Sequence, residues 1–192
     1  FALLKWMEHE EKLFKRLERH IISKKLEHGF RDNDSIDVDG FLQFSLSVHN
    51  RRKSRVGYAL ENHLEEIFKI HEITYSRTAI TENKSRPDFL FPGADHYHDP
   101  AFPSERLTML GVKSTCKDRW RQVLAEADRI KSKHLLTLEP GISENQTDEM
   151  QASNLQLVLP QPLHETYKPR QRCWLINLSD FIQIVRERQS KV

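Results

Sequence analysis

The sequence predicts an α/β protein: an N-terminal helical segment, then a mixed β-sheet flanked by helices. Three observations predict it. Apolar residues recur at helical spacing over roughly the first seventy positions. From Ile73 onward the period shortens to that of strands. Short apolar runs then alternate with helical stretches, the order typical of an α/β core. The 192 residues suffice for one domain with a real core, its helical part covering about 1–70 and its sheet part about 71–192.

The first helix is predicted over residues 3 to about 28, where Leu3, Leu4, Met7, Leu13, Phe14, Leu17, Ile21 and Ile22 recur among charges and Gly29 supplies a stop. The Asp-rich segment from Asp32 to Gly40 fails the calcium-loop pattern. With Gly40 as the turn glycine, Ser35 occupies the first ligand position and Leu46 the bidentate-acid position. It reads as a polar loop and helix start. Further helices are predicted at about 38–48 and 55–70, the latter with a stripe of Leu60, Leu64, Ile67 and Phe68. Glu61 flanks that stripe, whereas Glu65 and Glu66 turn toward solvent. Ile73–Ile80 is β-compatible, and Asp88–Phe91 is a short strand ended by Pro92-Gly93. A polar loop containing Asp95 to Pro100 precedes a strand over Leu107–Lys113. A helix over about 116–134 uses Trp120, Val123, Leu124, Ala127 and Ile130. Leu135–Leu138, Leu155–Leu159 and Cys173–Asn177 read as strands, and Ser179 as the cap of a last helix to about 188.

The net charge of +2 is too small for a general polycation, but the basic residues cluster at Arg51–Arg55, Lys117–Arg121 and Lys168–Arg172. Gathered on one face, such runs create a local positive field that suits DNA; taken singly, each is equally an ordinary solvated surface. Arg51 stands for the phosphate-positioning class. The two cysteines, Cys116 and Cys173, have no zinc-like spacing, which fits a reduced, cytoplasmic chain. No stretch approaches a membrane span. The chain opens on Phe1, so it is expected to be part of a longer protein.

The chemistry gathers around Asp88 and Lys113. Each ends a short apolar strand, and pairing those strands as a hairpin brings the two polar ends together. Residue 111 shares a face with Lys113. It is glycine and offers no ligand, so a second carboxylate has to come from elsewhere, and Glu126 in the following helix is the natural source. Asp88 and Glu126 hold a hard divalent cation through oxygen. The cation and Lys113 stabilise charge developing on a phosphodiester.

These residues resemble a known family. Pro87-Asp88, Lys113-Ser114-Thr115-Cys116-Lys117-Asp118-Arg119 and Glu126 are similar to the relocated-glutamate form of the PD-(D/E)xK nuclease motif. That form occurs in restriction endonucleases reading CCGG and CCNGG-like sites. Arg55-Val56-Gly57-Tyr58-Ala59-Leu60-Glu61 resembles their helix carrying an accessory acid, and the whole chain resembles the EcoRII-type C-terminal catalytic domains. The resemblance implies a restriction-endonuclease-like core and a magnesium-dependent type II restriction endonuclease. Cleavage falls in double-stranded DNA at a CC(A/T)GG-like site, leaving a 5′ overhang. Asp88 and Glu126 are then Mg2+ ligands, Lys113 contacts the scissile phosphate or orients water, and Glu61 is the accessory acid. Lys117, Asp118 and Arg119 read the C:G pairs, with Lys117 standing where relatives carry Arg. A homodimer on a palindromic site, extrusion of the central base pair and an effector-binding domain preceding residue 1 follow from the same resemblance. Trp6 is an aromatic for stacking an extruded base, or else buried in the core or a dimer interface. Tyr97 touches a phosphate or is a surface tyrosine. His96 and His98 read as loop polar residues, because a hard-metal nuclease needs no imidazole. A repair or structure-specific nuclease of the same fold and a non-catalytic DNA-binding module are the alternatives. The acids at 61, 88 and 126 count against the latter, since they repel phosphate.

Overall fold

The computed structural model describes residues 2–32, 35–116 and 119–190. The chain forms two compact units, Ala2–His63 and the residues from Leu64 onward.

In the first unit, α1 (Ala2–His28) ends where predicted. Gly29 adopts the left-handed φ of 73° and donates its N–H to the carbonyls of Lys25 and Leu26. A small hairpin, β1 (Arg31–Asp32) with β2 (Ser35–Ile36), leads to α2 (Val38–Ile70). Asp37 caps α2 through Oδ1, 2.8 Å from the Gly40 N. The two helices expected at 38–48 and 55–70 are thus one. No proline interrupts them, and Gly57 weakens a helix without breaking it. Two residues of the basic run between them are taken up by ion pairs. Arg52 grips the buried Glu18 with Nε and Nη2 at 2.7–3.0 Å, and Arg55 pairs with Glu10 while lying 4.7 Å over the Phe14 ring.

The second unit is built on a five-stranded mixed sheet of order β3 (Ser76–Arg77), β4 (Phe89–Phe91), β5 (Thr108–Lys113), β6 (Lys133–Thr137), β7 (Leu155–Val158). The first three strands are antiparallel and the last three parallel. One face carries Phe89 and Phe91, which meet Phe68, in the part of α2 that belongs to this unit, at 5.1 and 5.2 Å; Phe91 also meets Phe181 of α7 (Leu178–Ser190). The other face carries Leu90, Met109 and Leu135, buried with Tyr97, Trp120, Val123 and Ala127. This alternation is what period two dictates for strands covered on both sides.

Several boundaries differ from those the periodicity predicts. β3 keeps only two residues of Ile73–Ile80, because Thr78 takes φ 49° and leaves the extended region. The expected polar loop at 95–100 instead contains a short helix, α3 (Ala94–His98), tied by its Ala94 N–H to the Ser76 hydroxyl. The helix expected over 116–134 is only α4 (Trp120–Leu124). Ala127 has φ 51°, and the amides of Ala127 and Asp128 bond the side chains of Thr81 and Glu82 rather than carbonyls four residues back. Cys173–Asn177 contributes a single bridge, Ile176 to Val158. It is confined between α6 (Pro169–Arg172) and the start of α7, which Asn177, not Ser179, caps by accepting from Ser179 and Asp180. α5 (Glu144–Ala152) links β6 to β7. Glu65 is also not solvent-directed as expected: it accepts from Tyr75 at 3.0 Å and Arg77 at 2.5 Å.

Gly111 sits where α4 crosses the sheet. A Cβ there would lie 2.8 and 3.0 Å from the two methyls of Val123. Gly111→Ala is therefore expected to cost about 1–3 kcal/mol through overpacking, and less in a Val123→Ala background. Denaturant unfolding of the four proteins in that cycle measures the coupling. Equal costs in both backgrounds would contradict the contact.

Candidate active site

The antiparallel register places Phe89 opposite Leu110 and Leu90 opposite Met109, which sets Asp88 beside Gly111 at the end of the ladder. Asp88 lies on the same face as Leu90, and Lys113 on the same face as Met109. Their side chains meet: Asp88 Oδ2 accepts from the Val112 amide at 2.6 Å and from Lys113 Nζ at 3.1 Å. Both groups are largely shielded, at 16% and 12% side-chain exposure, so their attraction is screened less than at an open surface. Both bonds fall on Oδ2, which leaves Oδ1 for another partner.

Glu126 follows α4, outside the helix on which it was expected. Its Oε2 is buried and has no hydrogen-bond partner. Burial raises its carboxyl to about 7; Lys113 opposes that shift, Asp88 adds to it and Lys133 opposes it. The residue is thus within electrostatic reach of both Asp88 and Lys113. An orphaned buried carboxylate oxygen beside a second carboxylate and a lysine is the donor set that a hard divalent cation fits. Among the described residues no three His, Cys, Asp or Glu side chains form a complete cage.

The remaining predicted residues are distributed as follows. Glu61 lies half-buried in α2 within the helical unit. Arg51 is exposed on the same helix, and Arg119 is exposed just before α4, its N–H on the Cys116 carbonyl at 2.9 Å. Lys117 and Asp118 lie outside the described residues. Trp6 is half-buried with its ring 5.7 Å from that of His63. Tyr97 is not a surface group. It is 1% exposed, in the core, and its hydroxyl bonds Glu82. That placement removes it from contact with a phosphate, because α3 turns its ring inward. His96, in α3, packs on Phe102 at 4.8 Å. The run Lys168–Arg172 is engaged in the fold: Lys168 pairs with Glu144, Arg170 with Asp148, and Arg172 donates to the carbonyls of Tyr167 and Glu165. Arg121 pairs with Glu149. Both cysteines are free, Cys116 buried and Cys173 exposed.

Periodicity missed Thr81, Glu82 and Lys133, which bond the backbone next to Glu126, and Glu139, which accepts the Cys116 amide at 3.0 Å at the start of the 116–119 segment. Their only sequence signal was a polar residue type beside an apolar run.

Residues 14–182 match the family described as EcoRII C terminal. The type II restriction enzyme EcoRII of Escherichia coli is 52% identical over 146 residues, covering 76% of this chain and 36% of that relative. The chain thus spans about a third of the length of the curated relative it matches. Two solved structures of Ecl18kI, described as metal-depleted and in complex with uncleaved DNA (modified DNA in one), superpose with a TM-score of 0.79. They are 20% and 22% identical and cover 98% of this chain and 69% of theirs, which establishes the restriction-endonuclease fold.

A folded-state value near 7 for Glu126, against 4.5 ordinarily, fixes a sign. Between those values the folded chain holds a proton that the unfolded chain has released, so this group's contribution makes stability fall as pH rises through the window. Glu126→Gln lacks that ionisation. The metal-free chain should lose melting temperature relative to the variant from about pH 5 to about pH 7, and the difference should level off above. A pH-independent difference would contradict the burial of this carboxyl.

Proposed function

The chain belongs to the EcoRII C-terminal family, and from that premise we propose that it is a magnesium-dependent type II restriction endonuclease domain. It hydrolyses phosphodiester bonds of double-stranded DNA at a CC(A/T)GG-like site and leaves a 5′ overhang. The observation that carries the reading is the Asp88–Lys113 pair where β4 starts and β5 ends, with Glu126, whose buried Oε2 has no hydrogen-bond partner, in electrostatic reach. Asp88 and Glu126 hold the cation, and Glu61 serves as accessory acid. A cation held there would supply positive charge against the phosphate and would acidify a bound water. Lys113, held by Asp88 in the ground state, offers its ammonium to the non-bridging phosphate oxygens, where charge grows as the bond breaks. Arg119 with Lys117 and Asp118 reads the C:G pairs: guanidinium or ammonium donates to guanine O6 and N7, and the carboxylate accepts from cytosine N4. Arg51 positions the backbone.

The same proposal includes a homodimer, each copy cutting one strand of the palindrome. Extrusion of the central pair would explain tolerance of either A·T orientation. A preceding effector-binding segment and a bacterial cytoplasmic setting belong to the same reading, and their support is the resemblance.

Digestion of a sequenced plasmid with Mg2+, mapping every cut, tests the function. Discrete cuts at one pentanucleotide support it. Cutting confined to branched or damaged DNA favours a repair nuclease, and binding with no magnesium-dependent cutting a non-catalytic module. Asp88→Ala and Glu126→Gln should each lower cleavage about a hundredfold or more while DNA binding in Ca2+ persists; cutting at the original rate in either would remove that residue from the metal site. In competition binding at fixed salt, Arg119→Ala should lose about 1–3 kcal/mol of discrimination for the specific site. Arg51→Ala should weaken specific and random DNA alike. Equal losses for Arg119→Ala would assign it to phosphate contact.

A further inference from the structure

Glu126 stands on no regular element, yet the backbone around it is held on every side. The turn over Thr81–Ser85, just upstream of Asp88, provides most of the grip. Thr81 Oγ1 accepts the Ala127 N–H at 3.3 Å, Glu82 Oε2 accepts the Asp128 N–H at 3.1 Å, and Ser85 Oγ donates to the Ala125 carbonyl at 3.3 Å. Tyr97 braces the same point, donating its hydroxyl to Glu82 Oε2 at 2.5 Å and accepting the Arg129 N–H at 3.3 Å. From the opposite direction Lys133 Nζ donates to the carbonyls of Ala127 and Ile130 at 3.0 and 2.8 Å. Thr81, Tyr97 and Lys133 are 6%, 1% and 7% exposed, so water competes little for the bonds that Thr81 and Lys133 make to the Ala127 backbone, whereas the Glu82–Asp128 and Ser85–Ala125 bonds lie nearer the surface. Burial alone would raise the Glu82 carboxyl, but the bonds from Tyr97 and Asp128 hold it below the usual range, so it acts as a charged acceptor.

The bonds converge on a conformation that the chain does not adopt by itself. Ala127 is left-handed at φ 51°, a region alanine enters only when its surroundings over-determine it. That residue directly follows Glu126, so releasing it would swing the carboxylate. The turn that grips it lies only a few residues before Asp88, so one short segment sets both acids.

We propose that the Thr81–Ser85 turn together with Lys133 is a clamp that fixes Glu126 against the Asp88–Lys113 pair, with Thr81 and Glu82 as positioning residues for cation binding. This rests on the nuclease reading. Magnesium demands near-ideal octahedral geometry, so its affinity is the property most sensitive to a carboxylate set loose.

The test titrates Mg2+ in cleavage of a plasmid carrying CC(A/T)GG sites, using the 192-residue chain and its Glu82→Ala, Thr81→Val and Glu82→Gln variants. Glu82→Ala and Thr81→Val are expected to raise the Mg2+ needed for half-maximal rate by about 10- to 100-fold, to recover most of the rate at saturating Mg2+, and to bind DNA without metal as the unaltered chain does. Glu82→Gln, which keeps an acceptor for the Asp128 amide, should shift less. An unchanged Mg2+ requirement, or a rate lowered by one factor at every Mg2+ concentration, overturns the clamp and leaves the nuclease reading intact. No magnesium-dependent cutting by the unaltered chain overturns the nuclease reading and the clamp's role with it. Hydrogen exchange on the unaltered chain supplies a check that needs no variant to fold: Ala127 and Asp128 amides should exchange as slowly as those of β5, and rapid exchange there overturns the clamp.

Discussion

The antiparallel ladder between β4 and β5 is the constraint on which the site depends. With Phe89 fixed opposite Leu110, the next residue outward on β4 is Asp88, and it falls within reach of the Val112 amide and the Lys113 ammonium. A slip of one residue would turn Asp88 to the opposite face and carry Phe89 and Phe91 out of their contacts with Phe68. The aromatic packing on one side of the sheet therefore holds the polar pair on the other.

Gly111 and Val123 follow from the same geometry. α4 lies close enough to β5 that Val123 occupies the space a side chain at 111 would need. A carboxylate beside Lys113 cannot then come from the strand and has to arrive from the segment after α4. That arrangement is costly for folding. Glu126 carries a buried oxygen with no partner, and Ala127 a left-handed backbone. Both are the kind of local cost tolerated where a ligand supplies the missing interaction.

Charge is divided between two uses. Arg52, Arg55, Arg121, Lys168 and Arg170 are paired with acids. Arg51 and Arg119 are exposed. Residues within one positive run thus differ in the fold, and the net charge of +2 says nothing about which is which.

Much of this was legible in the order of residues. The helix stop at Gly29, the strands around Phe89–Phe91 and Thr108–Lys113, and the convergence of Asp88 with Lys113 are local consequences of periodicity, turn chemistry and hairpin pairing. What only the tertiary structure decided are features whose partners are remote in sequence. α4 stops at Leu124 because Thr81 and Glu82, more than forty residues upstream, take the amides that would have continued it. Tyr97 is interior because α3 forms against Ser76 and Glu82 receives its hydroxyl. Arg52 is occupied because Glu18, on another helix, lies beside it. Apolar spacing reports which face of an element is buried. It carries no record of which distant polar group will meet a given amide or guanidinium, since that is fixed only when the chain closes on itself.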